Sequence, residues 1–187
     1  MNELLQFDQN LFFIINRGWA NPVFDLILPW FRNMYFWAPL YLFMAAWLVV
    51  NFGKKGWITI GWILLTFALT DMISSSLIKP WVERVRPCND PLLIDYVRLL
   101  VRCGGGFSFT SSHATNHFGF AIISASIMRP YFRWMLPIML VWAAVVSISQ
   151  VYVGVHYPLD ITAGAVLGSS IALIMAYLYP KFLKLEK

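Results

Sequence analysis

Residues 57–78 read WITIGWILLTFALTDMISSSLI, and this apolar stretch decides the fold class. A helix needs about 20 apolar residues to cross the roughly 30 Å hydrocarbon core of a bilayer, and this stretch has that length with one charged residue, Asp71. Four further stretches have a similar character, at residues 34–50, 113–128, 131–153 and 159–179. The pattern predicts an all-α fold, a polytopic membrane bundle of five to six transmembrane helices.

The overall composition excludes an ordinary soluble domain. Of the 187 residues, 59% are hydrophobic and only 12% are charged, whereas soluble domains have about 25% charged residues. The formal net charge is +5, but the 14 Lys and Arg residues form no dense basic stretch of the kind that binds nucleic acid. We therefore expect a lipid bilayer as the surroundings and no nucleic-acid partner.

The chain is expected to form one domain over residues 1–187, because it has no internal repeat, low-complexity tract or flexible linker. Ahead of the long apolar stretches, residues 4–17 mix polar and apolar side chains, which is typical of an interfacial or short helix. Asn21-Pro22 separates this segment from another short apolar piece. The pattern leaves open whether this N-terminal part crosses the membrane as a sixth helix.

The distribution of positive charge predicts an orientation. If residues 57–78 end on the side where residues 113–128 begin, then residues 80–112 form a loop on that side. Cytoplasmic segments carry an excess of Lys and Arg. The loop is therefore expected outside the cytoplasm, in a multi-pass protein of the inner (cytoplasmic) membrane whose site faces the periplasm or exterior. The cations of the opposite face are Lys54, Lys55, Arg129, Arg133, Lys181, Lys184 and Lys187, with Glu186 as the only nearby acid.

The two cysteines, Cys88 and Cys103, both fall in the 80–112 extracytoplasmic loop. In an oxidising compartment they can pair and close a loop of about 15 residues, which contributes on the order of 3 kcal/mol in the loop-entropy model. The alternative is two unpaired thiols in a mobile loop. The expected compartment favours the disulfide.

A first candidate motif consists of Lys79 and Arg86-Pro87. A lysine at the end of an apolar stretch is often only an interfacial anchor. Pro87, however, restricts Arg86 toward an extended backbone, which helps to aim a guanidinium at a fixed point. Asp71 lies about two turns before Lys79 at hydrocarbon depth, and we interpret it chiefly as a polar residue that bonds helices together.

A second candidate motif is GGGFSFTSSH at residues 104–113. Ser111 or Ser112 can cap a helix that begins at about His113, and the free N–H groups at such a terminus can cradle a phosphate. His117 lies on the same helix face as His113, a spacing that also suits a metal. Without an HExxH pattern or a third carboxylate ligand, we predict no metal site and a packing role for His117.

A third candidate motif is SQVYVGVHYPLD at residues 149–160. Pro158 suits the first position of a helix, so His156 is expected just before that helix and Asp160 in its first turn. At this spacing Asp160 can accept the Nδ1 proton of His156 and leave Nε2 free as a nucleophile. Later in the same predicted helix, Gly164 and Gly168 are interpreted as packing residues inside the bundle.

The order and spacing of the three motifs resemble the PAP2 (type 2 phosphatidic acid phosphatase) superfamily of membrane phosphatases. The first motif matches that family fully. The second keeps Ser111 and His113 where the family has Pro-Ser-Gly-His, and the third keeps its serine, histidine and aspartate. One position departs, since Gln150 stands where the family has arginine.

The resemblance implies a metal-free phosphoryl transfer that requires no cofactor. His156 would attack phosphorus to form a phosphohistidine, Asp160 would orient it, and His113 would protonate the departing oxygen and then activate water. The groups that would bind the phosphoryl oxygens are Lys79, Arg86, Ser111, the Ser112 amide and the residue at position 150.

The replacement at position 150 weakens this expectation at one point. Arginine offers a charged, bidentate fork, whereas Gln150 offers a neutral amide. The lost contact would cost on the order of 2 to 4 kcal/mol in the transition state. The loop arginines Arg84, Arg98 and Arg102 are the candidates to compensate for it.

The sequence thus predicts an enzyme that hydrolyses a lipid phosphate or diphosphate at the membrane surface. Undecaprenyl diphosphate is the leading expected substrate, on family analogy alone, with phosphatidylglycerol phosphate, phosphatidate and lipid A as alternatives. A different class, a non-catalytic lipid-phosphate binder or transporter, applies if Gln150 disables the site.

Overall fold

The structure is a computed structural model that describes residues 3–183 and 185. The described residues form helices and no strand, so the predicted all-α class is confirmed. The helices are α1 (Glu3–Phe13), α2 (Pro22–Phe31), α3 (Ala38–Met72), α4 (Lys79–Val82), α5 (Ser112–Met128), α6 (Met135–Tyr152) and α7 (Pro158–Leu178). Short π-helical or 3-10 turns lie at Ile14–Gly18, Met34–Trp37, Ile73–Ile78, Pro87–Asn89 and Lys181–Leu183.

Helix α3 is a hairpin whose chain reverses at Gly53. Gly53 has φ +50° and ψ −120°, a conformation that favours glycine. A Cβ atom on Gly56 would lie 2.2 Å from the Leu48 carbonyl oxygen, although residues eight apart in an unbroken helix are separated by about 12 Å. The two arms are therefore antiparallel, as the separate apolar stretches 34–50 and 57–78 predict.

In the described part of the chain, three continuous helical runs are long and apolar enough to span a bilayer: Met34–Val82, Met135–Tyr152 and Pro158–Leu178. The first has 49 residues, enough for two crossings joined by the turn at Gly53. Helix α5 has 17 residues and is mostly buried, since it packs against α3, α6 and α7. The bundle is thus a membrane protein built around α5.

Two glycines of α7 permit its close approach to α5. Cβ atoms on Gly164 and Gly168 would lie 2.7 Å from the Ser111 carbonyl oxygen and 2.0 Å from that of Thr115. The predicted packing role of both glycines is therefore confirmed. The same approach brings the start of α5 beside the start of α7, because the Ser111 amide donates to the Asp160 carbonyl at 3.0 Å.

The N-terminal helix α1 lies against the start of α7. Asp8 is only 1% exposed, and its Oδ1 accepts from the Leu159 amide at 2.8 Å. A second anchor is Asn16, whose amide donates to the Arg98 and Tyr152 carbonyl oxygens at 2.8 Å each. The segment that the sequence assigns to an interfacial or short helix therefore covers one side of the motif region.

The 80–112 loop folds back over the same region and contains a disulfide between Cys88 and Cys103. The described cations used for orientation lie in turns at the other end of the bundle, where Arg129 and Lys181 border one cavity. Three other charged residues that predict the orientation lie outside the described residues: Lys184, Glu186 and Lys187.

Candidate active site

The three sequence motifs meet at one open cavity of about 360 Å³. The first motif, the start of α5 and the end of α6 each contribute to its wall, and the glycines at residues 104–106 form one rim. The predicted site residues that line the cavity are Lys79, Arg86, Ser112, His113, Gln150 and His156. Arg32 and Ser75 also line it, and the sequence motifs do not include them. Arg102, one of the loop arginines expected to compensate for Gln150, lines it as well.

His156 presents its Nε2 atom to the cavity. Arg86 Nη1 lies 3.2 Å from Nε2, and since a guanidinium only donates, Nε2 must be the unprotonated, accepting nitrogen. The proton of the neutral ring then lies on Nδ1. This is the tautomer that a nucleophilic imidazole needs.

The Nδ1 atom of His156 lies near both the Asp160 carboxylate and the Ser108 hydroxyl. Nδ1 lies 3.4 Å from Asp160 Oδ2, a long contact, and 3.3 Å from Ser108 Oγ. Ser108 in turn donates a short hydrogen bond to Asp160 Oδ2. The predicted His156–Asp160 juxtaposition is present, with a serine beside it that no sequence signal distinguishes from its neighbours.

Asp160 sits in the first turn of α7, as its spacing from Pro158 predicts. Its Oδ2 accepts from the Tyr157 amide at 2.8 Å, which caps the helix. Its Oδ1 accepts from Arg84 Nη1 at 2.8 Å. The carboxylate is therefore held from several sides, and it is fully buried.

Arg84 links this carboxylate to the N-terminal helix. Arg84 Nη2 donates to Asp8 Oδ2 at 2.5 Å, and the guanidinium lies 4.0 Å from the centre of the Tyr157 ring. Sequence reasoning offers Arg84 as a substitute for the missing arginine, and this is wrong because both its terminal nitrogens pair with buried carboxylates. Asp8, an ionisable residue among the apolar side chains of α1, was the available signal for a buried ion pair.

The start of α5 places His113 and Ser112 on the cavity wall. Ser112 Oγ lies 3.1 Å from Ser74 Oγ and 2.9 Å from Ser75 Oγ. Ser111 differs from the expectation that it binds phosphate: it is fully buried and caps the helix. It does not border the cavity, since its Oγ accepts from the Ala114 amide within the helix turn.

Lys79 and Arg86 hold the glycine-rich loop in place through backbone carbonyl groups. Lys79 Nζ donates to the Phe107 carbonyl at 3.0 Å. Arg86 donates through Nε to the Gly106 carbonyl and through Nη1 to the Val155 carbonyl, each at 3.2 Å. Both side chains therefore reach the cavity while bonded to the backbone beside it.

Two predicted supporting residues lie beside the cavity. Asp71 Oδ1 accepts from Asn116 Nδ2 at 2.9 Å, which joins α3 to α5 as the helix-bonding interpretation predicts. His117 Nδ1 donates to the His113 carbonyl oxygen at 2.8 Å, and the ring packs on Trp142. Within the described residues, His, Cys, Asp and Glu side chains form no group of three that suits a metal ion.

Gln150 is fully buried on the cavity wall. Its Oε1 accepts from Arg32 Nε at 3.3 Å, and its Nε2 has no hydrogen-bond partner in the described part of the chain. Of the arginines expected to compensate, Arg98 is paired with Asp25 and Arg102 lines the cavity. The arginine that contacts position 150 is thus one that sequence reasoning missed.

The cavity is strongly cationic. Its lining includes Arg32, Lys79, Arg86 and Arg102, and no Asp or Glu among the described residues borders it. Burial lowers the pKa of His156 to about 4, although hydrogen bonding to Asp160 opposes this shift. A neutral imidazole surrounded by cationic side chains suits an anionic, phosphate-bearing substrate.

An apolar groove of about 560 Å³ adjoins the cationic cavity. Residues of both α3 arms and of α5 line it, among them Ala45, Leu48 and Phe67. The two spaces share Ser112 and His113 as lining residues. A polar head group in the cavity therefore lies next to a space that fits apolar chains.

Comparison with known proteins agrees with this geometry. A family model of the PAP2 superfamily matches residues 59–184. The chain belongs to the PAP2 superfamily. The resemblance of the three motifs is thereby confirmed, and the chain is a membrane lipid phosphatase of the PAP2 type.

Curated relatives include the lipid A 4'-phosphatase of Bacteroides thetaiotaomicron, 34% identical over 88% of this chain and 73% of that protein. The lipid A 4'-phosphatase of Porphyromonas gingivalis is 30% identical over 97% of this chain and 77% of that protein. Among solved structures, a PAP2-type phosphatidylglycerolphosphate phosphatase from Bacillus subtilis superposes with a TM-score of 0.78. That match covers 97% of this chain and 90% of the other at 23% identity, and it shows the shared fold.

Proposed function

We propose that this PAP2 enzyme removes phosphate from lipid A or a closely related phosphorylated glycolipid. The observation that supports a lipid substrate is that the cationic cavity meets an apolar groove at Ser112 and His113. The choice among lipids is supported by the two relatives that are lipid A 4'-phosphatases. Undecaprenyl diphosphate, the leading expectation from the sequence, stays a prediction and is the alternative in the test below.

In the proposed mechanism, Nε2 of His156 attacks phosphorus in line with the departing lipid oxygen. The N–P bond forms while the P–O bond to the lipid breaks, and His113, in its protonated form, gives its proton to the departing oxygen. Water then attacks the phosphohistidine, His113 takes one proton from it, and the N–P bond breaks to release inorganic phosphate. Asp160 and Ser108 keep the Nδ1 proton in place throughout.

Arg86 has two positions in this scheme. Without substrate, its Nη1 donates a hydrogen bond to the lone pair of His156 Nε2. A bound phosphate provides better acceptors for that charge, so Arg86 turns to the phosphoryl oxygens and frees Nε2. Lys79 and the Ser112 amide complete the cradle, while Ser111 positions the helix terminus.

The site is proposed to face the periplasm or exterior from the inner membrane. The cationic turns at the opposite end of the bundle suit the cytoplasm. The disulfide Cys88–Cys103 lies in the loop over the site, where an oxidising compartment would preserve it.

A phosphate-release assay in detergent tests the proposed substrate. Lipid A, undecaprenyl diphosphate, phosphatidylglycerol phosphate and phosphatidate are supplied at equal concentration, with and without EDTA. We expect lipid A to have the highest kcat/KM and EDTA to leave it unchanged. Preference for another lipid would overturn the substrate proposal, and loss of activity with EDTA would overturn the metal-free mechanism. Release from none of them would favour the non-catalytic binder.

A further inference from the structure

Position 150 is linked by a hydrogen bond to an arginine from a distant part of the chain. Arg32 Nε donates to Gln150 Oε1 at 3.3 Å, across a sequence separation of 118 residues. Both residues line the cationic cavity together with His113 and His156. The family places a guanidinium at position 150, and here one lies directly beside that position.

The backbone at the end of α2 holds Arg32 in place. The Arg32 amide donates to the Leu28 carbonyl at the helix C-terminus. The neighbouring Phe31 carbonyl accepts from Trp37 Nε1 at 2.7 Å, which ties the following turn back onto α2. The side chain thus starts from a fixed point and is partly buried.

The charge of Arg32 is not balanced by any carboxylate in the described part of the protein. The arginines that form ion pairs with carboxylates there are Arg84 and Arg98, not Arg32. Burial, and then the charge of Arg86, lower the pKa of Arg32. Two guanidinium groups that repel each other across a cavity are stabilised by an anion between them.

We propose that Arg32 supplies the phosphate-binding guanidinium that the third motif lacks, and that Gln150 is a positioning residue that orients Arg32 through Nε. The inference rests on the proposed phosphatase mechanism, whichever lipid is the substrate. With Nε bound to Gln150, the two terminal nitrogens remain for the phosphoryl oxygens. This fork-like contact is the one that an arginine at position 150 would make.

The test is a double-mutant cycle at positions 32 and 150. We expect Arg32→Ala to lower kcat/KM by about 30- to 1,000-fold, the range for loss of one charged contact to the transition state. Placing the guanidinium at position 150 instead, in Arg32→Ala/Gln150→Arg, should recover at least about 10-fold. Arg17→Ala, which removes an exposed arginine, is the matched control and should retain wild-type kcat/KM.

Orthovanadate binding, measured by calorimetry, separates this inference from the choice of lipid. Arg32→Ala should weaken vanadate binding with an unchanged melting temperature. Gln150→Leu, which removes the acceptor, should weaken it when Arg32 is present but not in the Arg32→Ala background. Vanadate affinity of Arg32→Ala within about threefold of wild type would overturn the role of Arg32. Equal effects of Gln150→Leu in both backgrounds would overturn the positioning role.

Discussion

Two arginines near His156 have opposite surroundings. Arg84 contacts Asp8 and Asp160, both fully buried at their side chains. Arg32 lines the open cavity, and among the described residues its side chain hydrogen-bonds to no group except the neutral amide of Gln150. The charge of Arg84 therefore stabilises the fold through ion pairs, whereas the charge of Arg32 remains available to a ligand.

The same division applies to the whole site. On the Nδ1 side of His156, Arg84 lies between the carboxylates of Asp160 and Asp8 and pairs with both. On the Nε2 side, the described cavity wall has four cations and no carboxylate. Like charges are costly to bring together, so the arrangement favours an anionic ligand over an empty cavity.

The largest expected effect follows from removing His156, which lies between the ion-paired region and the cationic cavity. His156→Ala should lower kcat by about 10⁴-fold or more, since loss of a nucleophile removes the covalent route. Phosphate release from lipid A measures the rate, and a melting curve checks the fold. His113→Ala, in contrast, should accumulate an alkali-stable phosphohistidine from ³²P-labelled p-nitrophenyl phosphate, because that leaving group departs without a proton and only the hydrolysis step then needs His113. Labelling of the His156→Ala variant would place the nucleophile elsewhere.

Removal of Arg84 should affect stability as well as activity. Arg84→Ala leaves two buried carboxylates unpaired, and breaking a buried pair costs about 3–5 kcal/mol. Urea unfolding in detergent should therefore show a large loss, whereas Arg32→Ala should leave the unfolding midpoint near that of wild type. Arg98→Ala, whose partner Asp25 is only partly buried, should have a smaller effect. If Arg32→Ala proved as destabilising as Arg84→Ala, the distinction between the two arginines would be lost.

Filling the apolar groove should affect lipid substrates selectively. Ala45 lines the groove, and Ala46 beside it is exposed and does not. Ala45→Trp should lower kcat/KM for lipid A by about 10-fold or more, as a blocked apolar pocket does, and leave p-nitrophenyl phosphate hydrolysis unchanged. Ala46→Trp is the control. Equal losses on both substrates would mean that the substitution disturbs the cavity and not a chain-binding groove.

The last expected effect concerns pH and needs no substitution in the protein. The pKa of His156 is lowered to about 4 by burial, so its imidazole should stay neutral as the pH falls through 6.5. The unfolded chain binds that proton first, so this residue lowers the stability of the folded state as pH falls from about 6.5 to 4. Nitrogen-15 NMR of labelled histidine, with His156→Ala for assignment, measures the titration. A midpoint near 6.5 would contradict the buried, neutral nucleophile.

The sequence predicts the membrane bundle well because hydrocarbon imposes a strong local constraint. Each crossing must be a long apolar helix, so the stretches 57–78 and 159–179 are readable without tertiary information. The loop and helix starts are readable for a similar reason. Pro158 begins α7 and the serines at 111 and 112 begin α5, since capping is decided by neighbouring residues.

The partners of the site residues are decided only by the tertiary structure. Arg84 meets Asp8 across 76 residues, and no local pattern distinguishes it from Arg98 or Arg102. Ser108 likewise reaches His156 and Asp160 only because the loop folds back over α7.

The membrane-spanning helices, the PAP2 motifs and most residues of the proposed phosphate site can be identified from the amino-acid sequence, because they depend on local apolarity, capping and spacing. Which cations lack a carboxylate partner among the described residues is visible only in the folded molecule. Charge balance depends on distances between segments that are far apart in the chain. In the folded molecule Arg84 pairs with buried carboxylates, Ser111 caps α5, and Arg32 lies at the cavity beside Gln150.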